Sequence, residues 1–149
     1  MESREGVVPS RLRALPSWLV NQTAVPATSL VSAALASADA RRYHYKVLAA
    51  LDEYGPASQA TLSRRCAIDR SDMVATVNEL TERGFVERAP DPADRRRNVV
   101  TLTRKGRGHL RKLDRLVADA QDELLAPLSP SERTQLVDLL TRIVDHHAP

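Results

Sequence analysis

The chain has a single cysteine, Cys66, so no disulfide can form within it and no cysteine-based metal cluster can be built. Aromatic residues make up only 3% of its 149 positions. The core is therefore expected to be filled by Leu, Val and Ala, which favours helices over a β-sandwich. Apolar runs fall far short of a membrane span, and the N-terminus lacks the apolar stretch of a signal peptide. A cytoplasmic protein with no membrane partner is the resulting expectation. Phosphate-binding glycine loops are missing, as is any grouping of nucleophile, base and orienting residue. Neither an enzyme nor a bound cofactor or metal is expected.

What is there is arginine, unevenly placed. The formal net charge is only +3, yet Arg64 to Arg115 holds 14 basic against 8 acidic residues. From Leu116 onward the balance reverses, with 2 basic and 6 acidic residues. Positive charge in the middle of the chain suits a polyanionic partner. Of the 22 basic residues 19 are Arg, whose planar fork fits phosphates and guanine edges.

Residues 1–9 read as a polar, loose tail. Residues 10–38 are apolar or small and predict helix with interruptions: Pro16 suits a first turn, whereas Pro26 is expected to kink the helix beyond it. Asp39 is the expected cap of a helix from Ala40 to Tyr54, with Tyr43, Val47, Leu48 and Leu51 on one face and Gly55-Pro56 as its stop. Ser58 opens a short helix carrying Leu62 and Cys66, Ala67-Ile68 form a turn, and Asp69 caps the next helix. Met73, Thr76, Val77 and Leu80 give that helix an inward stripe, and Gly84 comes just after its end.

Two β-like runs, Phe85–Arg88 and Asn98–Thr103, flank Asp91-Pro92-Ala93-Asp94-Arg95-Arg96-Arg97 and predict a hairpin with a cationic tip. Thr103 can cap a long helix whose apolar positions Leu110, Leu113, Val117, Ala120 and Leu124 form a coiled-coil-like seam. Pro127 ends it, and Ser129-Pro130-Ser131-Glu132 is a capping box for a last helix bearing Leu136, Leu139, Leu140, Ile143 and Val144. The expected fold class is mainly α. A winged helix-turn-helix at residues 40–103 sits within a single domain, 10–149, between a helical dimerisation region made of residues 10–38 and 104–149. A second copy of the chain would cover the apolar faces of those terminal helices.

This order of parts resembles the multiple-antibiotic-resistance regulator (MarR) family of bacterial transcription factors. The matching stretches are Tyr45–Leu48, Asp69-Arg70-Ser71, Leu80 through Arg88, Asp91–Arg96, and Leu102-Thr103 followed by Gly106. The resemblance implies a homodimer that straddles a palindromic operator in double-stranded DNA, acts as a repressor, and is released by a small-molecule effector. Carried over, the helix after Asp69 would enter the major groove with Arg70, Ser71, Asp72, Val74 and Ala75 outward. Arg70 could take guanine or a phosphate; Asp72 could accept from cytosine N4 or serve only as a cap. Ser58, Gln59 and Thr61 are expected at phosphates, or as a cap with ordinary surface neighbours. In the wing, Asp94 is expected to hold Arg96 for the minor groove, with Arg95 and Arg97 at phosphates.

The family's effector pocket points to Trp18, Gln22, Tyr43, His44 and Tyr45, for which plain core packing is the competing reading of Trp18 and Tyr45. Cys66 stands where a core Leu is expected and reads as a buried, inert thiol. His146-His147 lack helical ligand spacing, and His44 and His109 could meet only through the tertiary fold. The alternative to DNA binding is a winged-helix module whose arginine hairpin docks on an acidic protein.

Overall fold

The computed structural model describes residues 8–149. Its elements are α1 (Ser10–Arg13), α2 (Pro16–Ala36), α3 (Arg42–Tyr54), β1 (Ala57–Ser58), α4 (Gln59–Cys66), α5 (Arg70–Glu82), β2 (Val86–Pro90), β3 (Asn98–Leu102), α6 (Arg104–Leu124) and α7 (Pro130–His147). Two compact units divide the chain: Val31–Ala118, and a terminal unit joining the residues up to Leu30 with Asp119–Pro149.

In the Val31–Ala118 unit, apolar residues three and four apart turn one stripe of each helix inward. α3 buries Val47, Leu48 and Leu51, α4 buries Leu62 and Cys66, and α5 buries Met73, Thr76, Val77 and Leu80. Val86 and Val100 of the sheet and Leu110 and Leu113 of α6 close this core. The tight turn between α4 and α5 passes through Ala67 in the left-handed region (φ 52°, ψ 46°), which sends Ile68 into the core. Ser58 caps α4 by accepting the Thr61 N–H, and Asp69 caps α5 by accepting the Asp72 N–H at 2.8 Å.

β3 is the middle strand of a three-stranded antiparallel sheet ordered β1-β3-β2. The wing hairpin pairs Val86 with Leu102 and Pro90 with Asn98. β1 has no signature in the sequence, because two residues are too few to carry a readable period. Two other expectations are corrected. Asp39 is not a cap: it takes φ 55°, α3 begins at Arg42, and the Arg41 N–H is satisfied by His44 Nδ1 at 3.0 Å. The interruption expected within residues 10–38 falls at Ala14 and Leu15, between α1 and α2, whereas Pro26 lies inside α2, which is continuous from Pro16 to Ala36. The side chain of Pro26 is exposed, so the carbonyl deprived of an N–H partner lies on a face that water can reach.

One junction ties the end of α5, the base of the wing and the start of α6. The Phe85 carbonyl accepts the Thr103 N–H at 3.1 Å, and Thr103 Oγ1 donates to the Gly84 carbonyl at 2.7 Å. The same hydroxyl oxygen accepts the Gly106 N–H at 3.0 Å. Gly84 itself adopts φ 75°, the left-handed turn after a helix.

In the terminal unit, Ser129 and Glu132 form the expected capping box, with the Ser129 N–H donating to Glu132 Oε1 at 2.9 Å. Arg133 reaches back to Asp122 at 2.9 Å and to the Leu128 carbonyl at 3.2 Å, fixing the turn between α6 and α7. Leu15, Leu19, Val20 and Val25 on one side of the unit's sequence, and Val137, Leu139, Leu140, Ile143 and Val144 on the other, are exposed. Val25 and Val144 reach 68% and 67% exposure, which is unusual for so many large aliphatics in one small unit.

The junction yields a paired stability prediction. A Cβ on Gly106 would lie 2.0 Å from the Phe85 carbonyl oxygen and 2.8 Å from Leu102 Cδ1, so backbone must move. Gly106→Ala is expected to cost about 3 kcal/mol or more in denaturant unfolding. Gly108→Ala, whose Cβ meets nothing within 4 Å, is expected to be neutral or to stabilise by up to about 1 kcal/mol through helix propensity.

Candidate nucleic-acid interface

The outward face of α5 carries Arg70, Ser71, Val74, Ala75 and Asn78, all exposed. Its first turn is organised by Asp69, which accepts both the Asp72 N–H and the Ser71 hydroxyl at 2.8 Å. Those donors, the Asp72 N–H first, hold the Asp69 carboxyl below its usual range. Asp72 responds in the opposite sense: its hydrogen bond to Asp69 and the charge there push its carboxyl up. Asp72 thus contributes its backbone N–H to the cap while its carboxyl stays exposed beside Asp69. Among the described residues it makes no ion pair with Arg70.

Where α4 and α5 begin and the wing ends, a cavity of about 480 Å³ opens. Arg64, Arg70 and Arg97 line it together with Ser58, Gln59 and Thr61. Thr61 Oγ1 accepts from Ser58 Oγ at 3.0 Å and from Arg64 Nη2 at 3.2 Å, which turns the Arg64 guanidinium toward the first turn of α4. Three guanidiniums beside the first turn of a helix form a seat for an oxyanion such as a phosphate. Ser58, Gln59, Thr61, Arg70 and Arg97 are thereby brought together; Arg64 was missed.

The wing loop folds around two carboxylates. Asp91 accepts the Ala93 N–H at 2.9 Å and donates its own N–H to the Arg97 carbonyl at 2.8 Å. Asp94 accepts the Arg96 N–H at 3.1 Å, and its other oxygen faces Arg97 Nε at 3.9 Å. The expected grip of Asp94 on the Arg96 side chain is therefore corrected. The bond to the Arg96 N–H turns the carboxylate along the loop, where the residue three further on meets it. Arg95 and Arg96 are exposed, and among the described residues their guanidiniums have no protein partner.

Within the Val31–Ala118 unit, the expected pocket residues Tyr43, His44 and Tyr45 border different cavities. Trp18 is half-buried and Gln22 exposed, both on α2 in the terminal unit. Tyr43 lines a cavity of about 520 Å³ with Arg41, Arg42, Thr76 and Glu79. His44 is buried and borders a second cavity, of about 400 Å³, beside Arg83 and Glu82. The Tyr45 hydroxyl donates to Asp114 Oδ1 at 2.7 Å, on a third side. Burial, helped by that carboxylate, pushes its phenol up to about 12.

His44 instead joins helices. Its Nδ1 accepts the Arg41 N–H, so Nε2 carries the proton and meets Glu79 Oε2 at 2.5 Å, while the Arg41 guanidinium takes Glu79 Oε1. This links the start of α3 to the middle of α5. His109 stacks on Phe85 at 4.0 Å, and burial followed by nearby cations lowers its pKa. Among the described residues no three His, Cys, Asp or Glu side chains converge on a metal position. Cys66 is buried with Sγ 3.6 Å from the Lys46 carbonyl, and burial pushes its thiol up, as an inert core thiol requires.

Sequence reasoning also missed Asn78 and Arg88. The recurrence Ser71–Val74–Asn78 at three and four residues was a readable signal for the first. Arg88 had none, because its partners Gln59 and Asn78 lie on two other elements.

A helix-turn-helix followed by an arginine-tipped wing is a winged-helix arrangement. The MarR family model matches residues 40–97. Over 101 residues the chain is 32% identical to the HTH-type transcriptional repressor NicR of Pseudomonas putida, a match covering 68% of this chain and 64% of NicR. The chain thus spans just under two thirds of that relative. The PcaV transcriptional regulator of Streptomyces coelicolor, solved in complex with its natural ligand, is similar at 30% identity and a TM-score of 0.73, over 90% of this chain and 94% of PcaV. A MarR mutant from E. coli complexed with operator DNA matches at 25% identity and a TM-score of 0.73, over 86% of this chain and 92% of that one. The protein belongs to the MarR family of transcription regulators.

The α3–α5 link generates a pH prediction. The Arg41 guanidinium, and after it the His44 ring, hold the Glu79 carboxyl below its usual range. A depressed folded-state pKa stabilises the fold above the ordinary carboxylate value, about 4.3, and that gain is lost as the pH falls through the depressed value. Glu79→Gln is expected to lower stability at pH 7 by about 1 kcal/mol or less, since the carboxylate is more than one-third exposed. Thermal melts should show the deficit shrinking toward zero as the solution is taken into the acid range.

Proposed function

We propose that the protein is a homodimeric, sequence-specific repressor that binds a palindromic operator and is not an enzyme. The observation that carries this reading is the basic cavity shared by the starts of α4 and α5 and the end of the wing. Its guanidiniums and hydroxyls suit backbone phosphates, the outward residues of α5 suit base edges in the major groove, and Arg95 and Arg96 extend free cationic forks from the wing. The operator complex of the similar MarR protein supports DNA as the partner. In this reading the winged region, 40–103, contacts DNA, and the terminal helical regions, 10–38 and 104–149, dimerise.

The exposed aliphatic residues of α2 and α7 support the dimer, because a second copy of the chain would remove them from water. Two recognition helices related by two-fold symmetry then match half-sites about one helical turn, roughly 34 Å, apart. The ligand complex of the similar PcaV protein supports relief by a small molecule. The cavity lined by Arg41, Arg42, Tyr43, Asp72 and Glu79 borders α5, so a small polar ligand held there would bear on that helix. Such a ligand relieves repression only if it prefers the unbound arrangement of the two α5 helices.

Titration of operator duplex at several salt concentrations tests the reading. Binding should prefer one palindrome and weaken steeply with salt through counterion release. Arg96→Ala should weaken binding to every duplex, whereas Arg70→Ala should also change which sequences are preferred. Light scattering at micromolar concentration should give a dimer. Salt-independent binding, or equal affinity for random duplex, would instead favour a protein-docking role for the arginine hairpin.

A further inference from the structure

Arg88 sits on β2, half-buried, between two amide side chains. Its Nε donates to Gln59 Oε1 at 3.1 Å, and its Nη2 donates to Asn78 Oδ1. One guanidinium thus joins the wing to α4 and to α5. A guanidinium has donors only, so any amide that meets it must present oxygen. The opposite flip would set N–H against N–H. The orientation of both amides is therefore imposed by chemistry, and each is left with its two N–H bonds directed away from Arg88.

Where those donors lie gives the arrangement a use. Gln59 lines the basic cavity beside Arg64, Arg70 and Arg97. Asn78 continues the exposed stripe of Ser71 and Val74 on α5, three and four residues apart. The DNA backbone offers only acceptors, its phosphate oxygens. The major groove offers acceptors at guanine N7 and O6 or thymine O4 beside the donors of adenine N6 and cytosine N4, so an amide whose oxygen is held inward selects the acceptors. An amide free to flip would present its oxygen to those acceptors for part of the time. Holding it also reduces the side-chain entropy lost on docking.

We infer that Arg88 is a positioning residue for DNA recognition, which takes the carbonyl oxygens of Gln59 and Asn78 so that both amides face DNA as donors, Gln59 toward a backbone phosphate and Asn78 toward a base-edge acceptor. The inference rests on the proposed DNA reading of this face. Arg88 acts through the two amides and touches no phosphate itself.

The test uses the full chain and the duplex that the parent protein prefers. Arg88→Met should weaken binding about tenfold, the worth of a lost oriented hydrogen bond or two. The slope of log affinity against log salt should stay at the parent value, because the phosphate contact weakened is that of a neutral amide and no cationic phosphate contact has gone. Arg97→Ala, by contrast, should reduce that slope by about one. In a Gln59→Leu, Asn78→Leu background, Arg88→Met should have no further effect on affinity, since its route to DNA is already removed. Should Arg88→Met unfold the protein, Gln59→Glu and Asn78→Asp keep an oxygen for Arg88 while removing the donors. Both should melt no lower than the parent and bind at least about tenfold more weakly.

A slope reduced by about one in Arg88→Met would make Arg88 a direct phosphate contact and overturn the inference. So would additive effects in the Leu background, or parental affinity in the Glu and Asp variants. A parent protein that prefers no duplex would remove the DNA reading itself, whereas a binding parent with unaffected variants removes only the role given to Arg88.

Discussion

The winged unit depends on how closely α6 approaches the chain at Phe85. The Phe85 carbonyl takes the Thr103 N–H, and the bare Cα of Gly106 leaves room for that oxygen where any side chain would collide with it. Thr103 adds a hydroxyl bridge from the Gly84 carbonyl to the Gly106 N–H. Three elements are thereby indexed to one another: α5 at its exit, the hairpin at its base and α6 at its first turn. Neither the helix offered to the major groove nor the wing beside it could hold its direction if this contact were looser.

On that frame, the surface proposed for DNA is prepared before any partner arrives. Arg64 is turned by Thr61, the first turn of α5 is organised by Asp69, and two amides are oriented by Arg88. Preparation of this kind lowers the cost of binding more than it adds contacts. The face is also wholly made within the Val31–Ala118 unit, so its local chemistry belongs to a single chain even where recognition of a palindrome calls for two.

Much of this could be read from residue order because helix ends are local events. Ser58, Asp69, Gly84 and Ser129 each stop or start a helix through a bond or a backbone angle within a few residues, and all four do what their type predicts. Inward stripes are local too, and the buried faces of α4 and α5 come from spacing alone. Failures occur where a distant partner decides. Asp39 looks like a cap, yet the position is served by His44, whose ring is held by Glu79 from another helix. Asp94 lies two residues from Arg96, but a backbone bond turns its carboxylate to Arg97. Tyr43, His44 and Tyr45 are adjacent in the chain, yet each meets different partners from other elements. Arg88 is silent in the sequence because its meaning comes from amides on two other elements.

The wing tip has a consequence of its own. Asp91 and Asp94 draw the turn around themselves through main-chain N–H groups, and the side chains of Arg95 and Arg96 take no part in shaping it. Form and charge are thus encoded by different letters of the same short segment. Its cationic positions can be exchanged for longer, shorter or neutral ones while the path of the loop survives, so a relative could adapt to another groove width by editing the tip alone and leave the scaffold beneath it untouched.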